Sequence, residues 1–494
     1  MNPAATPSKT LSEAPGADAG DADSDDAATA VVSMYVKQQK IYARAVSGWF
    51  AGWRWAMVWA TQLVFYGLPW LQWNQRQAVL FDLGARRFYI FGLVLHPQDF
   101  IYLTALLIIS AYSLFLFTAV AGRLWCGFAC PQTVYTEIFM WVERKIQGDR
   151  NVRMKRDAGP WTADRIWRAV AKNGVWLLIA LWTGFTFVGY FTPIRTLAGL
   201  VSQFALGPWE LFWIGFYSLA TFGNAGFMRE QVCKYMCPYA RFQSVMFDKD
   251  TLIVSYDAER GEPRGSRSRK ADPKKIGKGD CVDCGLCVQV CPTGIDIRKG
   301  LQYECIGCTA CIDVCNGVMD RMKYPRGLIR YATQNGMAKH LSRAEVFRRV
   351  LRPRVLVYFA ILLLLVAALV TSIAMRSPFR VDVVRDRGAL ARQVGDGQIE
   401  NVYRLQIMNA TESPHRYQVA VGGLDGISID GASTIEVMPA EARWMTVSVR
   451  VPYETASRQG AGAHPIQFDI RLQDQRADEK QARAVEKSTF VVPR

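Results

Sequence analysis

Two consecutive cysteine runs constrain this chain more than any other feature, each spelling C-x-x-C-x-x-C-x-x-x-C. The first is Cys281, Cys284, Cys287 and Cys291, closed by Pro292. The second is Cys305, Cys308, Cys311 and Cys315, closed by Asn316 where proline would be expected. Two-residue gaps in a tight loop aim three sulfurs at one small object. The fourth sulfur, three residues on, points to the neighbouring object. This spacing is known to hold paired [4Fe–4S] clusters, the fourth cysteine of each run ligating the other cluster. It predicts one cluster on Cys281, Cys284, Cys287 and Cys315, and a second on Cys305, Cys308, Cys311 and Cys291. Gly285, Gly294 and Gly307 suit turns that bring backbone N–H groups close to sulfide. Zinc would need four ligands per site and gives no reason for two like runs. Disulfides are disfavoured in a loop whose charge places it in the cytoplasm.

All twelve cysteines fall in C-x-x-C or C-x-x-x-C-P groupings, so they read as metal or redox ligands with none left for structural pairing. The four histidines, His96, His340, His415 and His464, argue against a bis-histidine haem and a histidine-built copper site. The net charge of +16 reads as membrane-flanking charge and not as a nucleic-acid surface, because the cations sit in loops beside apolar stretches.

Those stretches predict five membrane spans, at about residues 53–73, 100–121, 175–191, 209–226 and 355–374. Residues 88–95 are too short to cross a bilayer and are expected to be re-entrant or interfacial. Residues 1–30 read as a disordered acidic tail. Loops 122–174 and 228–354 are rich in Lys and Arg, the second holding 24 against 14 Asp and Glu. The opposite face has few. The N-terminus and the cluster loop are therefore expected in the cytoplasm, and residues 377–494 outside. Residues 262–278 read as a mobile basic linker.

Beyond residue 379, short segments bounded by turn residues predict strands at 402–408, 417–421, 433–437, 444–451, 466–472 and 488–492. Trp444, Thr446, Ser448 and Arg450 alternate with Met445, Val447, Val449 and Val451. An antiparallel immunoglobulin-like β-sandwich is expected. The plan is a tail (1–48), a four-helix membrane domain (49–248), a ferredoxin-like 2[4Fe–4S] domain (249–354), a fifth helix (355–376) and the β-sandwich (377–494).

The remaining cysteines pose the sharper question. Two spans lead to Cys126 and Cys130-Pro131; two more lead to Cys233 and Cys237-Pro238. This pattern reads as a duplicated helical hairpin, both pairs emerging on one membrane face. Residues i and i+4 share a helix face, and each proline should redirect the chain. If the repeats pack together, four thiolates converge at the membrane edge. They suit a third iron–sulfur cluster, a Cu(I) ion, or a dithiol–disulfide couple. The bland alternative is four buried thiols at a helix contact. Arg123, Lys234 and Arg241 are near enough in sequence to lower a thiol pKa, or simply flank the membrane. Trp125, Tyr135, Trp141, Tyr235 and Tyr239 read as interfacial anchors before an aromatic relay. Met228 and Met236 read as packing before thioether ligands. His96 is expected to be capped or hydrogen-bonded before it is a metal or proton site.

Five spans, paired C-x-x-x-C-P motifs, a double-cluster insert and an external β-sandwich together resemble the CcoG/FixG/RdxA family, accessory proteins of cbb-type haem–copper cytochrome oxidases. The resemblance covers about residues 35–494. It implies a bacterial inner-membrane oxidoreductase that reduces Cu(II) to Cu(I), with copper-export and oxidase-assembly proteins as partners and a periplasmic C-terminal domain. Cys126, Cys130, Cys233 and Cys237 would then reduce or bind copper, and the eight cluster cysteines would feed them electrons. The paired membrane motifs are shared with NapH-like quinol-oxidising proteins, which gives one alternative. An oxidase-assembly scaffold with structural or sensory clusters is another.

Overall fold

The computed structural model describes residues 40–269, 275–386, 391–473 and 482–493. The stretch read as an acidic tail lies outside them, as do Lys270 and Lys274 of the basic linker. Helix α1 (Trp49–Gly67) buries Ala51, Arg54, Val58 and Gln62, one face at helical spacing. Its other faces expose Trp53, Trp59 and Leu63. The helix stops at Gly67 and Pro69 follows in a tighter turn. The span expected to reach residue 73 is therefore shorter.

Residues 88–95, expected to be re-entrant or interfacial, form neither a helix nor a loop. They belong to a three-stranded antiparallel meander, β1 (Val79–Asp82), β2 (Arg87–Ile90) and β3 (Leu93–Leu95). Leu80, Tyr89 and Val94 are buried there against Ala440 of the C-terminal domain. A β-rich run of four apolar residues is ambiguous between strand and helix by periodicity alone; the turn at Asp82–Arg87 settles it.

Three described helices are long and apolar enough to cross a membrane: residues 97–121, which include α2 (Phe100–Ala121), α6 (Ala163–Val188), and the later helix Pro353–Ala374. Two further expected spans fall short of that standard. They are α1, with 19 residues and Arg54 inside it, and α8 (Pro208–Thr221), with 14 residues before the backbone widens into a π-helical stretch at Phe222–Met228. Gly184 of α6 lets α8 close in: a Cβ there would lie 2.5 Å from the Ile214 carbonyl.

Between α2 and α6 the chain forms α3 (Leu124–Phe128), α4 (Pro131–Gln147) and α5 (Arg150–Ala158). Helix α7 (Ile194–Ser202) precedes α8, and α9 (Pro238–Met246) follows the second π-helical turn, Val232–Met236. The cluster region is tied together by β4 (Ile253–Tyr256) pairing antiparallel with β5 (Ile329–Ala332). It contains the short helix α10 (Leu286–Gln289) and α11 (Ala310–Met322). Helix α1 begins on α11, where the Phe50 and Ala51 backbone N–H groups donate to the Asp313 carboxylate.

The last helix, α12 (Pro353–Ala374), packs on α2. It leads into strands β6 (Phe379–Arg385), β7 (Ile399–Asn409), β8 (His415–Gly422), β9 (Ser428–Asp430), β10 (Thr434–Val437), β11 (Ala442–Val451), β12 (Gly462–Leu472) and β13 (Arg483–Val492). Two antiparallel sheets result, in the orders β9-β11-β7-β6 and β10-β8-β12-β13. Met445, Val447, Val449 and Val451 turn inward as their alternation predicts, onto Tyr403, Tyr417 and Phe468. The strands at 379–385 and 428–430 were not legible: the first carries Arg, Asp and Arg among its valines, and the second is three residues long. Asp99, fully buried before α2, ties the start of that helix to the C-terminal domain by ion pairs to Arg376 and Arg380.

Candidate redox site

The two cysteine runs share a local backbone. The residue before each second cysteine has a left-handed φ (Asp283 53°, Gly307 68°), and so does the residue after it (Gly285 63°, Thr309 62°). Such paired reversals turn successive N–H groups toward one concave side. Gly285 and Thr309 then start α10 and α11, which carry Cys287 and the pair Cys311 and Cys315.

Cys281, Cys284, Cys287 and Cys315 line one cavity, shelled by Tyr256, Leu286, Val318 and Ile329. Cys291, Cys305, Cys308 and Cys311 line a second, which Cys287 also borders. The structure thus brings together the two sets that the spacing predicts, each run lending its fourth cysteine to the other cavity. Burial pushes the Cys287 thiol up to about 11 and Cys315 up to about 12. Four thiols lining one small cavity suit a thiophilic group that displaces their protons, and the set of sulfurs fits an iron–sulfur cubane. Cys284 is the exposed member of the first set.

The membrane-edge cysteines come from two matched turns. Cys126 lies in α3, and Cys130 precedes Pro131 at the start of α4. Cys233 lies in the π-helical turn Val232–Met236, and Cys237 precedes Pro238 at the start of α9. Each proline ends one element and opens the next, as expected. The two cysteines of a pair consequently do not share a helix. The two pairs are near one another all the same: Cys126 feels the charge of Cys130 and Cys237, and Cys233 that of Cys126, Cys130 and Cys237.

Arg123 does act on these thiols, but burial dominates: Cys126 is pushed up to about 11 and Cys233 to about 12. Arg123 thus lowers both thiols as a flanking cation should, and burial is the larger influence. Neither Lys234 nor Arg241 figures among the main influences on either thiol. Lys234 Nζ donates instead to the Thr293 carbonyl at 3.0 Å. Among the described residues, no three His, Cys, Asp or Glu side chains close on a point as a single bound ion requires. His96 is buried as a cap, its N–H donating to Asp99.

The segments that carry these four cysteines pack on the Cys305–Cys308 loop, which lines the second cavity. The Gly127 backbone packs against the Gly307 carbonyl so closely that a Cβ would lie 2.7 Å from its oxygen. Arg123 donates to the carbonyls of Tyr303, Ala240 and Cys305. Cys233 packs beside Ile306 and Cys308. Sequence reasoning missed this docking, since neither Gly127 nor Arg123 announces a partner some 180 residues away.

Three family models match: a 4Fe-4S binding domain over residues 103–148, a 4Fe-4S dicluster domain over 228–334, and an IG-like fold at the C-terminus of FixG over 369–493. Nitrogen fixation protein FixG of Rhizobium meliloti is 37% identical over 472 residues, covering 87% of this chain and 90% of that one. Protein RdxA of Cereibacter sphaeroides is 38% identical over 454 residues, covering 89% and 94%. The ferredoxin-type protein NapH of Haemophilus influenzae is 24% identical over 208 residues, 38% of this chain and 66% of that one. With cluster-binding segments, an immunoglobulin-like C-terminal domain and this likeness along most of its length, the chain is an iron–sulfur electron-transfer protein and belongs to the FixG/RdxA family.

Proposed function

We propose that this protein is a membrane-bound cupric reductase that supplies Cu(I) for metallation of a cbb-type oxidase, working with copper-export and assembly proteins. The observation that carries the reading is the seating of the Cys126/Cys130/Cys233/Cys237 quartet on the Cys305–Cys308 loop through Gly127 and Arg123. Cys281, Cys284, Cys287 and Cys315 would hold one [4Fe–4S] cluster, and Cys291, Cys305, Cys308 and Cys311 the other. When bound, these clusters supply one-electron carriers. The quartet would hold a third cluster, a reading supported by the 4Fe-4S model over residues 103–148.

The residues around these centres have definable tasks. Arg123 fixes the spacing between quartet and second cavity and adds positive charge there. Ile306, Ala310 and Val290 keep water from the junction. Cu(II) is the substrate, and sulfur-rich surroundings favour the Cu(I) product. Five crossings are part of this proposal, with α1 and α8 completed as spans by their flanking turns. The cluster region would face the cytoplasm and the β-sandwich the periplasm.

Anaerobic protein pre-reduced with dithionite and freed of excess reductant should convert Cu(II) to Cu(I), read by bathocuproine absorbance. Alanine at any quartet cysteine should lower that rate at least tenfold. Undiminished activity in all four variants would remove the quartet from the reaction. Iron analysis gives an independent reading: about twelve irons per chain for three cubanes, about eight if the quartet holds none.

A further inference from the structure

Arg54 is a buried cation with no anion beside it. It lies on the face of α1 that also buries Ala51 and Val58, and it is 7% exposed. Its Nε has no hydrogen-bond partner, and its guanidinium forms no ion pair among the described residues. A charge buried alone is strongly destabilising, so the site calls for a negative partner. A side chain this enclosed does not reach out to a lipid phosphate.

The surroundings show where that partner belongs. Arg54 borders a cavity of about 30 Å³ together with Cys233, Cys308 and Ile306. The other polar groups of the cavity are turned elsewhere. Thr133 donates to the Cys126 carbonyl at 2.5 Å, and Thr136 donates to the Gln132 carbonyl at 2.6 Å. Glu137 pairs with Arg144 at 3.8 Å, and Arg229 pairs with Glu143 at 3.0 Å. Glu230 lines the cavity but lies beyond ion-pair distance of Arg54. The nearby Asp313 carboxylate receives the Phe50 and Ala51 N–H groups. Cys308 remains. Burial raises this thiol, and of the charges that act on it Arg54 is the strongest, lowering it toward the thiolate.

We propose that Arg54 is the counter-charge of the cluster on Cys291, Cys305, Cys308 and Cys311, and that it raises the reduction potential of that cluster. This rests on the electron-transfer reading above. A [4Fe–4S] group on four thiolates is an anion and gains one more negative charge when it takes up an electron. A fixed cation beside one of its ligands favours the reduced form, and dry surroundings keep that attraction large. The first cavity has no such free cation: Arg298, which acts on Cys287, is paired with Asp283 at 2.5 Å and Asp296 at 2.8 Å. Arg54 would therefore act on the second cluster and leave the first as it is.

The test is a dithionite titration of full-length, iron-loaded protein in lipid nanodiscs, poised with mediator dyes and followed by low-temperature EPR. The signal missing from Cys308→Ser identifies the second cluster. Arg54→Met removes the charge and keeps apolar bulk, an exchange that buried unpaired charges tolerate well. At a fixed potential its ratio of reduced to oxidised second cluster should fall at least tenfold, about 59 mV for a one-electron couple, with iron and sulfide content unchanged. Arg54→Gln, neutral and polar, should behave alike. Arg54→Lys keeps a cation and should stay within about threefold of the wild type. The first cluster should titrate unchanged in all three. An unmoved second cluster in the neutral variants, or a loss in Arg54→Lys as large as theirs, overturns the proposal. Equal movement of both clusters would mark a general loosening and overturn it too. A wild type in which no cluster titrates would remove the electron-transfer reading itself, and this inference with it.

Discussion

The two membrane-edge motifs are copies of one turn that solve the same problem with different residues. Four residues before its first cysteine, each copy reverses the chain in nearly the same conformation: Gly122 has φ 57° and ψ −123°, and Arg229 has φ 40° and ψ −110°. Glycine adopts this freely, whereas any other residue is strained there by about 1–3 kcal/mol. The first copy needs glycine, because a Cβ would sit 2.8 Å from the Leu252 carbonyl. The second copy holds arginine in the strained turn by what its side chain grips. Arg229 donates to the Glu143 carboxylate at 3.0 Å and to the Gly226 carbonyl at 2.9 Å. Glu143 is fully buried and is also paired with Arg153 at 2.7 Å. One copy is therefore fixed by the absence of a side chain and the other by a buried ion pair. The pattern repeats one residue past each first cysteine. Gly127 makes contact by backbone, and Lys234 makes contact by its long side chain.

The largest expected effect comes from breaking the backbone contact. In Gly127→Ala the methyl would meet the Gly307 carbonyl and the Cys308 N–H, both backbone groups with little freedom to move. Overpacking of this kind costs about 1–3 kcal/mol, and a shift of about 1 Å between partners can slow a positioned reaction about 100-fold. Copper reduction should fall by more than tenfold while the first cluster's EPR signal survives. Wild-type turnover in Gly127→Ala would show that the quartet and the second cavity need not touch.

The contrast also marks what could be read from the chain. The cysteine sets were legible because sulfur spacing is local and the backbone between ligands is short. The sandwich strands were legible where burial alternates, as in β11. Docking was not legible, because Gly127 meeting Gly307 depends on where two distant elements are brought by α1 seating on Asp313. Nor was the meander, whose valines and leucines resemble a broken span until Gln77 is seen tying it to α6 through the Gly189 carbonyl at 2.7 Å. The balance of influences on the thiols was not legible for a related reason. Nearby cations are visible in sequence, but the burial that outweighs them is not.

A second, intermediate effect probes the arginine. Substituting Arg229 by alanine keeps the strained backbone and leaves Glu143 with Arg153 alone. Loss of one partner from a buried ion pair costs about 3–5 kcal/mol, moderated here because Arg153 stays. Glycine at the same position removes the ion pair but relieves the strain. Arg229→Gly should therefore be more stable than Arg229→Ala by about 1 kcal/mol, an inversion of the usual order in helices and turns that favour alanine. Chemical denaturation of the iron-loaded protein would measure it. Equal stabilities would mean that position 229 is not held at positive φ, and the likeness between the two copies would end there.

The smallest effect belongs to Lys234. Its ammonium donates to the Thr293 carbonyl, and Thr293 follows Cys291 and Pro292 at the second cavity. A hydrogen bond from a charged donor is worth about 1.5–3 kcal/mol when desolvated, and less at this half-buried position. Lys234→Met keeps most of the apolar stem and removes the donor, so the expected loss is about 1 kcal/mol with copper reduction slowed no more than a few-fold. Because a flexible side chain can be replaced by water where a packed backbone cannot, this variant should tolerate substitution far better than Gly127→Ala. Were Lys234→Met to lose activity as completely, the second copy would be the rigid contact and the first the adaptable one.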